Sequence, residues 1–548
     1  MSNTPVSTSQ PASGSSWKAN AISGFLVFLI ALPLCLAIAI ASNFPAVAGV
    51  LTAIVGGIVT PWISNSQLTI KGPAAGLIVI VAGCAVSFGW VPGEANAAAQ
   101  MEAYRCTLAV GVVAGVLQIL FALLKGGIVS EMFPTTVVHG MLAAIGVIII
   151  SKQSHIMLGA KPEAKEPLHL LAEIPRSITT GMNPAIAMVG VTCLVLLFAW
   201  QFVKHPLLKK IPAPLLVVGL SIGLGSYLGL TTEHSYEFSG KTFQLSEKFL
   251  VSVPKSLMSA ITFPDFSKVL TGNGIFWITM FCVIGSLESI LSAKAVDLLD
   301  PKKRRTDFDR DLLGVGIANT LVACIGGLPM ISEIVRSRAN IDNGAQDRFS
   351  NMFHGLFLLL FLLLLPGLLH QIPLAALAAM LVFTGTRLAS PKEFIHMYHL
   401  GIDQLVVFVG TIVMVLATDL LLGILAGACL ELGMHLLRGL SLKAIFKPSL
   451  CVEKQSGQTV VKSGDSAVFT TWIRLKKCLT QIDPVERVVL DLSSAAIVDH
   501  TVMSKLEDMQ RDWTAEGRQL SVTGLENHQG SSSHPLSCRR RVGATTTA

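Results

Sequence analysis

Two stretches hold the residues best placed to do chemistry. One is Gly326-Gly327-Leu328-Pro329-Met330-Ile331-Ser332-Glu333-Ile334-Val335-Arg336, which follows an apolar run over 312–325. The other is Lys71-Gly72-Pro73-Ala74-Ala75-Gly76, in the first half of the chain. In each, glycine and proline interrupt an apolar region and predict a short helix with its proline near the first turn. A helix that starts inside a low-dielectric region turns free N–H groups and the positive end of its dipole toward whatever lies in front of it. The candidate binding groups are therefore the backbone around Gly72, Ala74, Ala75 and Gly76, facing the N–H groups of Ile331 and Ser332, with the Ser332 hydroxyl assisting. Their chemistry suits an inorganic oxyanion, whose lost hydration is costly in such a place. Neutral donors also suit a ligand that must be released again.

Charged residues near these stretches add a second layer. Glu288 lies in the middle of an apolar run, where a carboxylate costs on the order of 3 kcal/mol to insert. It could take up a proton with the anion, or stay ionised and ligate Na+, with Ser292 one helical turn on sharing that ion. Na+ near Glu288 is the only metal ion these residues suggest, and no other cofactor is expected. Glu333 favours a helix N-terminus but repels an anion there, so it must point away, pair with Arg336 or bind a coupling cation. Arg336 could lend positive field to the anion or snorkel to the membrane surface. His139 reads as a hydrogen-bonded structural histidine, and Glu131 as solvated loop charge.

The elements that would carry these residues follow from composition. Of 548 residues, 52% are hydrophobic and only 14% charged, against roughly 25% charged in soluble domains. Apolar stretches recur at 20–42, 45–64, 73–90, 104–124, 133–151, 184–203, 212–230, 273–295, 311–325, 329–341, 352–371, 373–389, 403–419 and 420–438. They predict about fourteen spans in a lipid bilayer, with 73–90 and 329–341 as half-helices. Paired Gly/Pro interruptions in two halves of such a chain point to a transport site. The net charge of +7 sits in basic groups after even-numbered spans (Lys204/Lys209/Lys210, Lys302–Arg305, Arg336/Arg338, Arg387/Lys392, Arg438/Lys443). That distribution predicts cytoplasmic termini, and the charge is not a nucleic-acid surface. Ten scattered cysteines read as buried apolar residues. Residues 1–18 and 531–548 are expected to be disordered tails flanking a membrane region (19–440) and a small α/β domain (441–530). In that domain, 467–472, 488–492 and 520–525 read as strands, and 473–482 and 501–513 as helices.

Taken together these pieces resemble the SulP sulfate permease family, the prokaryotic counterpart of solute carrier family 26. The likeness rests on Ala31-Leu-Pro-Leu-Cys-Leu-Ala37, Lys71-Gly-Pro-Ala-Ala-Gly76, Gly285-Ser-Leu-Glu-Ser-Ile-Leu-Ser292, Gly327-Leu-Pro329 with Arg336, and Thr418-Asp-Leu-Leu-Leu-Gly423. Asp491-Leu-Ser-Ser-Ala-Ala-Ile-Val-Asp-His-Thr501 resembles a STAS module, with His500 where relatives carry a phosphorylatable serine. The resemblance implies an all-α membrane domain built as a seven-plus-seven inverted repeat, with core (spans 1–4 and 8–11) and gate (5–7 and 12–14) parts. It also implies an anion held between spans 3 and 10, a homodimer, and residence in a bacterial inner membrane. The expected function is secondary active transport of sulfate or bicarbonate, coupled to H+ or Na+. A nucleobase–cation symporter would need Gln or Asn at the helix ends, where this chain has small residues. A membrane-tethered STAS signalling protein would not need fourteen spans. The absence of GxxxxGK[ST], HExxH and GxSxG disfavours an ATPase or an intramembrane hydrolase.

Overall fold

The computed structural model describes residues 13–91, 97–127, 131, 133–164, 166–205, 208, 211–252, 260–418, 420–455 and 457–542. Each expected span contains a helix. They are α1 (Ser13–Ala41), α2 (Ala46–Ile63), α3 (Ile78–Ser87), α4 (Ala97–Leu123), α5 (Thr135–Met157), α6 (Pro184–Trp200) and α7 (Ala213–Tyr227). Then come α8 (Gly272–Leu299), α9 (Phe308–Cys324), α10 (Ile334–Asp342), α11 (Phe349–Leu364), α12 (Leu374–Leu388), α13 (Ile402–Ala417) and α14 (Leu420–Leu437). Among the described residues, six helices are long and apolar enough to cross a membrane, and six more are shorter apolar helices. Neither group includes α9 or α10. Asp309, Arg310, Asp311 and Asn319 make α9 polar, and Arg336, Arg338, Asn340 and Asp342 do the same for α10. Helices of that composition persist in an apolar setting only if neighbouring protein satisfies their side chains.

The breaks are where the expected all-helical membrane part needs correcting. Ile70–Pro73 forms strand β1 and Met330–Glu333 forms strand β2, paired antiparallel with Lys71 opposite Ser332 and Gly72 opposite Ile331. Helices α3 and α10 therefore begin at Ile78 and Ile334, five residues beyond the prolines that were expected to open them. Two effects account for this. A residue before proline is pushed out of the helical region, which keeps Gly72 and Leu328 extended. A broken backbone away from water must also find partners, and two breaks side by side supply each other's. The pairing joins the third element to the tenth, seven spans apart, as a seven-span repeat requires.

By internal contacts the chain divides into two units, residues 1–127 with 149–384, and residues 128–148 with 385–548. In the first, α9 packs along α4 and α2, and α1 packs along α2 and α11. Both breaks lie in this unit. A hairpin of His234–Phe238 and Lys241–Leu245 follows α7.

The second unit ends in a C-terminal α/β region. Its strands are β3 (Leu450–Gln455), β4 (Gln458–Ser463), β5 (Asp465–Ala467), β6 (Arg487–Asp491), β7 (Ala495–Val498), β8 (Leu520–Thr523), β9 (His528–Gly530) and β10 (Arg539–Arg541). They form two sheets, in the orders β8-β6-β4-β3 and β9-β10-β7-β5. Helices α15 (Trp472–Thr480) and α16 (His500–Ala515) bury Trp472, Leu475, Leu479, Leu506 and Trp513 against Val488 and Leu490 of the first sheet. The expected strand over 467–472 is instead the end of β5, a turn and the start of α15. The predicted tails are also shorter than expected. Ser13–Lys18 belongs to α1, where Trp17 stacks on Phe349 with ring centroids 5.1 Å apart. Residues 531–542 include β10, which is paired with β9 and β7. Residues 1–12 and 543–548, and the basic pair Lys209/Lys210, lie outside the described residues. Glu131 is not solvated: its carboxylate accepts from Lys476 Nζ at 2.5 Å and from Trp472 Nε1 at 2.7 Å. Burial alone would push this carboxyl up, but the Lys476 charge and these bonds hold it below its ordinary value. His139 faces Glu393, Nδ1 to Oε2 3.3 Å, and is 46% exposed.

Candidate anion site

The β1–β2 ladder puts one long basic side chain on each side of the break. Lys71 is fully enclosed. Its Nζ donates to both carboxylate oxygens of Asp311, at 2.6 and 2.8 Å, and to the Ser332 hydroxyl. Ser332 Oγ donates to Asp311 Oδ2 at 3.1 Å, and Ser64 Oγ to Asp311 Oδ1 at 2.5 Å. The Ser332 N–H is used as well, donating to Ser289 Oγ at 3.2 Å. Ser332 is thus committed to a buried ion-pair network, and Ile331 to pairing with Gly72 in the ladder. Neither is a free first-turn donor, which corrects the role the sequence suggested for both. The reason is the five-residue shift: they lie in the strand, ahead of the helix.

Arg336 is built differently. It stands on the first turn of α10 with 1% of its surface exposed, so it does not snorkel. Its Nη2 donates to Pro73 O at 3.1 Å, reaching back across the ladder, while Nε and Nη1 have no hydrogen-bond partner among the described residues. Gly72 is what admits it, because a Cβ there would stand 2.2 Å from Arg336 Nη1. Buried guanidinium donors are rarely left unsatisfied in a native protein. Two of them in one place make Arg336 a candidate ligand-binding group.

The carboxylates close the other sides. Glu333 occupies the N-cap of α10 without making a side-chain cap, and its Oε1 is buried and unpartnered. It forms no ion pair with Arg336, so that expectation fails. As a cap residue it is extended, and its side chain leaves the helix axis before reaching the third residue on. Glu288 comes from α8 and lies against the turn ahead of α3, where a Cβ on Gly76 would meet its Oε1 at 2.0 Å. Glu288 Oε2 is buried and has no partner. Ser292 is buried on α8 but forms no hydrogen bond to Glu288; the serine of α8 that reaches the ladder is Ser289, next to Glu288. His354 on α11 is fully buried with both ring nitrogens unpartnered, near enough to feel the Arg336 charge.

Backbone donors complete the inventory. Leu77 N and Ile78 N donate to Ala74 O and Ala75 O, forming a turn ahead of α3 in which the Ala74, Ala75 and Gly76 N–H groups find no acceptor among the described residues. Across the ladder, the first-turn N–H groups of Ile334 and Val335 have no intrahelical acceptor, and both residues are exposed. The Arg336 guanidinium lies against the ladder itself, at Gly72 and Pro73. Lys71 and Asp311 cancel in charge. One guanidinium then faces two carboxylates, so the site is negative by one unit when both are ionised. The sequence reading missed Lys71, Asp311, Ser289 and His354 as participants. The visible clue for the first two was a pair of opposite charges at the edges of apolar runs.

These features define a multi-pass membrane protein with a polar, charge-bearing break shared by two discontinuous helices. Comparison with known proteins agrees. The sequence profile of the sulfate permease family matches residues 17–434, and the chain belongs to that family. YvdB of Bacillus subtilis (strain 168), itself only provisionally assigned as a sulfate transporter, is 28% identical over 423 residues, 75% of this chain and 72% of YvdB. The bicarbonate transporter BicA of Picosynechococcus sp. is 22% identical over 404 residues, 74% of this chain and 67% of BicA. Among solved structures, SLC26A9 superposes with a TM-score of 0.68 at 13% identity, covering 93% of this chain and 85% of that one, a likeness of fold.

Proposed function

We propose that this chain is a secondary active transporter that carries a small inorganic oxyanion, sulfate or bicarbonate, together with a cation. The observation that carries the reading is Arg336, a buried guanidinium that lies against the ladder joining the two breaks, with two donors unpartnered among the described residues. Arg336 Nε and Nη1 would replace part of the lost hydration shell. The N–H groups of Ile334 and Val335 would act from one side and those of Ala74, Ala75 and Gly76 from the other, so Gly72, Ile331 and Ser332 shape the site without donating to the anion. The names of the relatives supply the choice of sulfate or bicarbonate.

Cation coupling follows from the charge balance. With both carboxylates ionised the site is negative by one unit and repels an entering anion in low dielectric, so the anion must bring positive charge or wait for it. Glu288 Oε2 and Glu333 Oε1, both buried and unpartnered, are where a proton would be taken up. Na+ would need several oxygens around it, and Ser292 makes no bond that would offer one alongside Glu288. The proton is therefore the favoured partner. Movement would follow alternating access around the fixed ladder, in a homodimer of an inner membrane with both termini cytoplasmic. Reconstituted vesicles test this directly: labelled sulfate and labelled bicarbonate are offered in turn, each with and without imposed pH and Na+ gradients. Accumulation of one anion driven by an inward proton gradient is the expected result. Equilibration of both anions, indifferent to either gradient, would refute coupled transport.

A further inference from the structure

A second set of unsatisfied polar groups lies outside the anion site, entirely within the second unit. Glu431 and His435 stand one turn apart on α14 and so share a face. Asp499 caps the N-terminus of α16, in the C-terminal α/β region. All three are buried, at 1%, 1% and 0% exposure. One ligand atom from each lies within 4.8 Å of the others. Among the described residues, neither carboxylate oxygen of Glu431 nor either ring nitrogen of His435 has a hydrogen-bond partner within ordinary geometry, the Gln404 amide lying near Glu431. Asp499 is held firmly: its Oδ1 accepts from Val502 N at 2.7 Å and its Oδ2 from Phe469 N at 2.6 Å, which leaves each oxygen a further lone pair.

Charge around the cluster is unbalanced. Asp403 joins Arg438, with Nη2 to Oδ2 at 3.0 Å, and accepts from Gln404 Nε2 at 3.2 Å, while its Oδ1 is unpartnered. Arg438 also donates to Cys538 Sγ at 2.9 Å. Three carboxylates against one guanidinium would leave two negative charges if all were ionised, with a histidine that no hydrogen bond among the described residues orients. The spacing is informative too. His435 Nε2 lies 3.5 Å from Asp499 Oδ2, longer than the usual N–H···O hydrogen bond of about 2.7–3.2 Å. Two ligands at about 2.0–2.1 Å from a tetrahedral metal stand roughly 3.3 Å apart.

We propose that Glu431, His435 and Asp499 hold one divalent transition-metal ion of the zinc type, which fastens the start of α16 to the end of α14. A donor set of one imidazole and two carboxylates suits such an ion, and its charge cancels the local excess. Fixing Asp499 through its cap bonds gives the metal one preset ligand. The unpartnered Glu431 and His435 side chains are what it would organise.

The test uses the full-length protein in detergent, without a polyhistidine tag, stripped by chelator, exposed to Zn2+ and passed through gel filtration before metal analysis. Wild type should retain about one Zn2+ per chain, and its melting temperature should rise with Zn2+ concentration. E431Q and H435Q should bind Zn2+ at least ~100-fold more weakly and melt independently of it. Stripped E431Q should melt no lower than stripped wild type, since it loses an uncompensated buried carboxylate. A wild type that retains no Zn2+, or no more than E431Q does, overturns the proposal. Should both variants fail to fold, Co2+ added to wild type decides. The intense visible absorption of low-coordinate Co2+ supports the site, and the pale spectrum of the hydrated ion refutes it.

Discussion

Lys71 and Arg336 are buried cations on opposite sides of one short ladder, and they are treated in opposite ways. The Lys71 ammonium has three donors and three acceptors: two oxygens of Asp311 and the Ser332 hydroxyl. The Arg336 guanidinium has five donors, and among the described residues it donates to Pro73 O, with the Cys35 thiol nearby. A saturated buried ion pair holds a shape, because nothing remains for a ligand to satisfy. An unsaturated one is costly until something arrives. On the proposed reading, Lys71, Asp311 and Ser332 are the scaffold of the break, and Arg336 with Glu288 and Glu333 would handle its traffic.

The largest effect should come from splitting the saturated pair. K71M strands Asp311 in the interior and should cost about 3–5 kcal/mol of stability, read as a fall in melting temperature in detergent. The double variant with Asp311→Leu should recover more than half of that loss. Were K71M to melt like wild type yet fail to transport, Lys71 would belong to the binding site and the contrast would collapse. Next in size, R336Q should keep the fold and lower anion uptake by about 100-fold, a difference of about 2.7 kcal/mol. Normal uptake by R336Q would show that the orphan donors are not used.

Gly72→Ala sharpens the same point. Its Cβ would meet Arg336 Nη1 at 2.2 Å, so the guanidinium must move, and uptake should fall about tenfold. Because the two residues act through one group, the alanine should add little in an R336Q background. The smallest effect serves as a control from the second unit. Glu131 is held below its ordinary value by Lys476 and Trp472. Its stabilisation is therefore complete above the ordinary glutamate value and is lost as pH falls through the lowered one. E131Q should melt below wild type at neutral pH, by about 0.5–1 kcal/mol, and the gap should close on acidification, with no change in uptake at neutral pH.

Much of this architecture was legible in the sequence because apolar length and Gly/Pro punctuation are local signals. Each of the fourteen stretches contains a helix, and both breaks fell where glycine and proline predicted them. What was not legible depends on partners far along the chain. Pro73 and Pro329 read as helix openers, yet each break found the other across some 260 residues and became a strand. That moved the helix starts five residues on and took Ser332 out of the donor set. Asp311 lies 240 residues from Lys71, and one sequence offers no means of pairing them. Arg336 was recognised as relevant, but its reach back to Pro73 O depends on Gly72 having no side chain, a relation visible only in three dimensions. The tail residues 531–542 have a turn-rich, basic composition that gives no strand signal, and β10 forms because β7 and β9 offer it edges.

The central claim is that Glu288 couples anion movement to a cation at a site otherwise too negative to accept an anion. Measuring labelled-anion accumulation in proteoliposomes under an inward proton gradient, for wild type and E288Q side by side, tests it most directly. The account predicts that wild type concentrates the anion above equilibrium while E288Q reaches equilibrium and still exchanges it. E288Q vesicles that concentrate the anion as wild type does would contradict it.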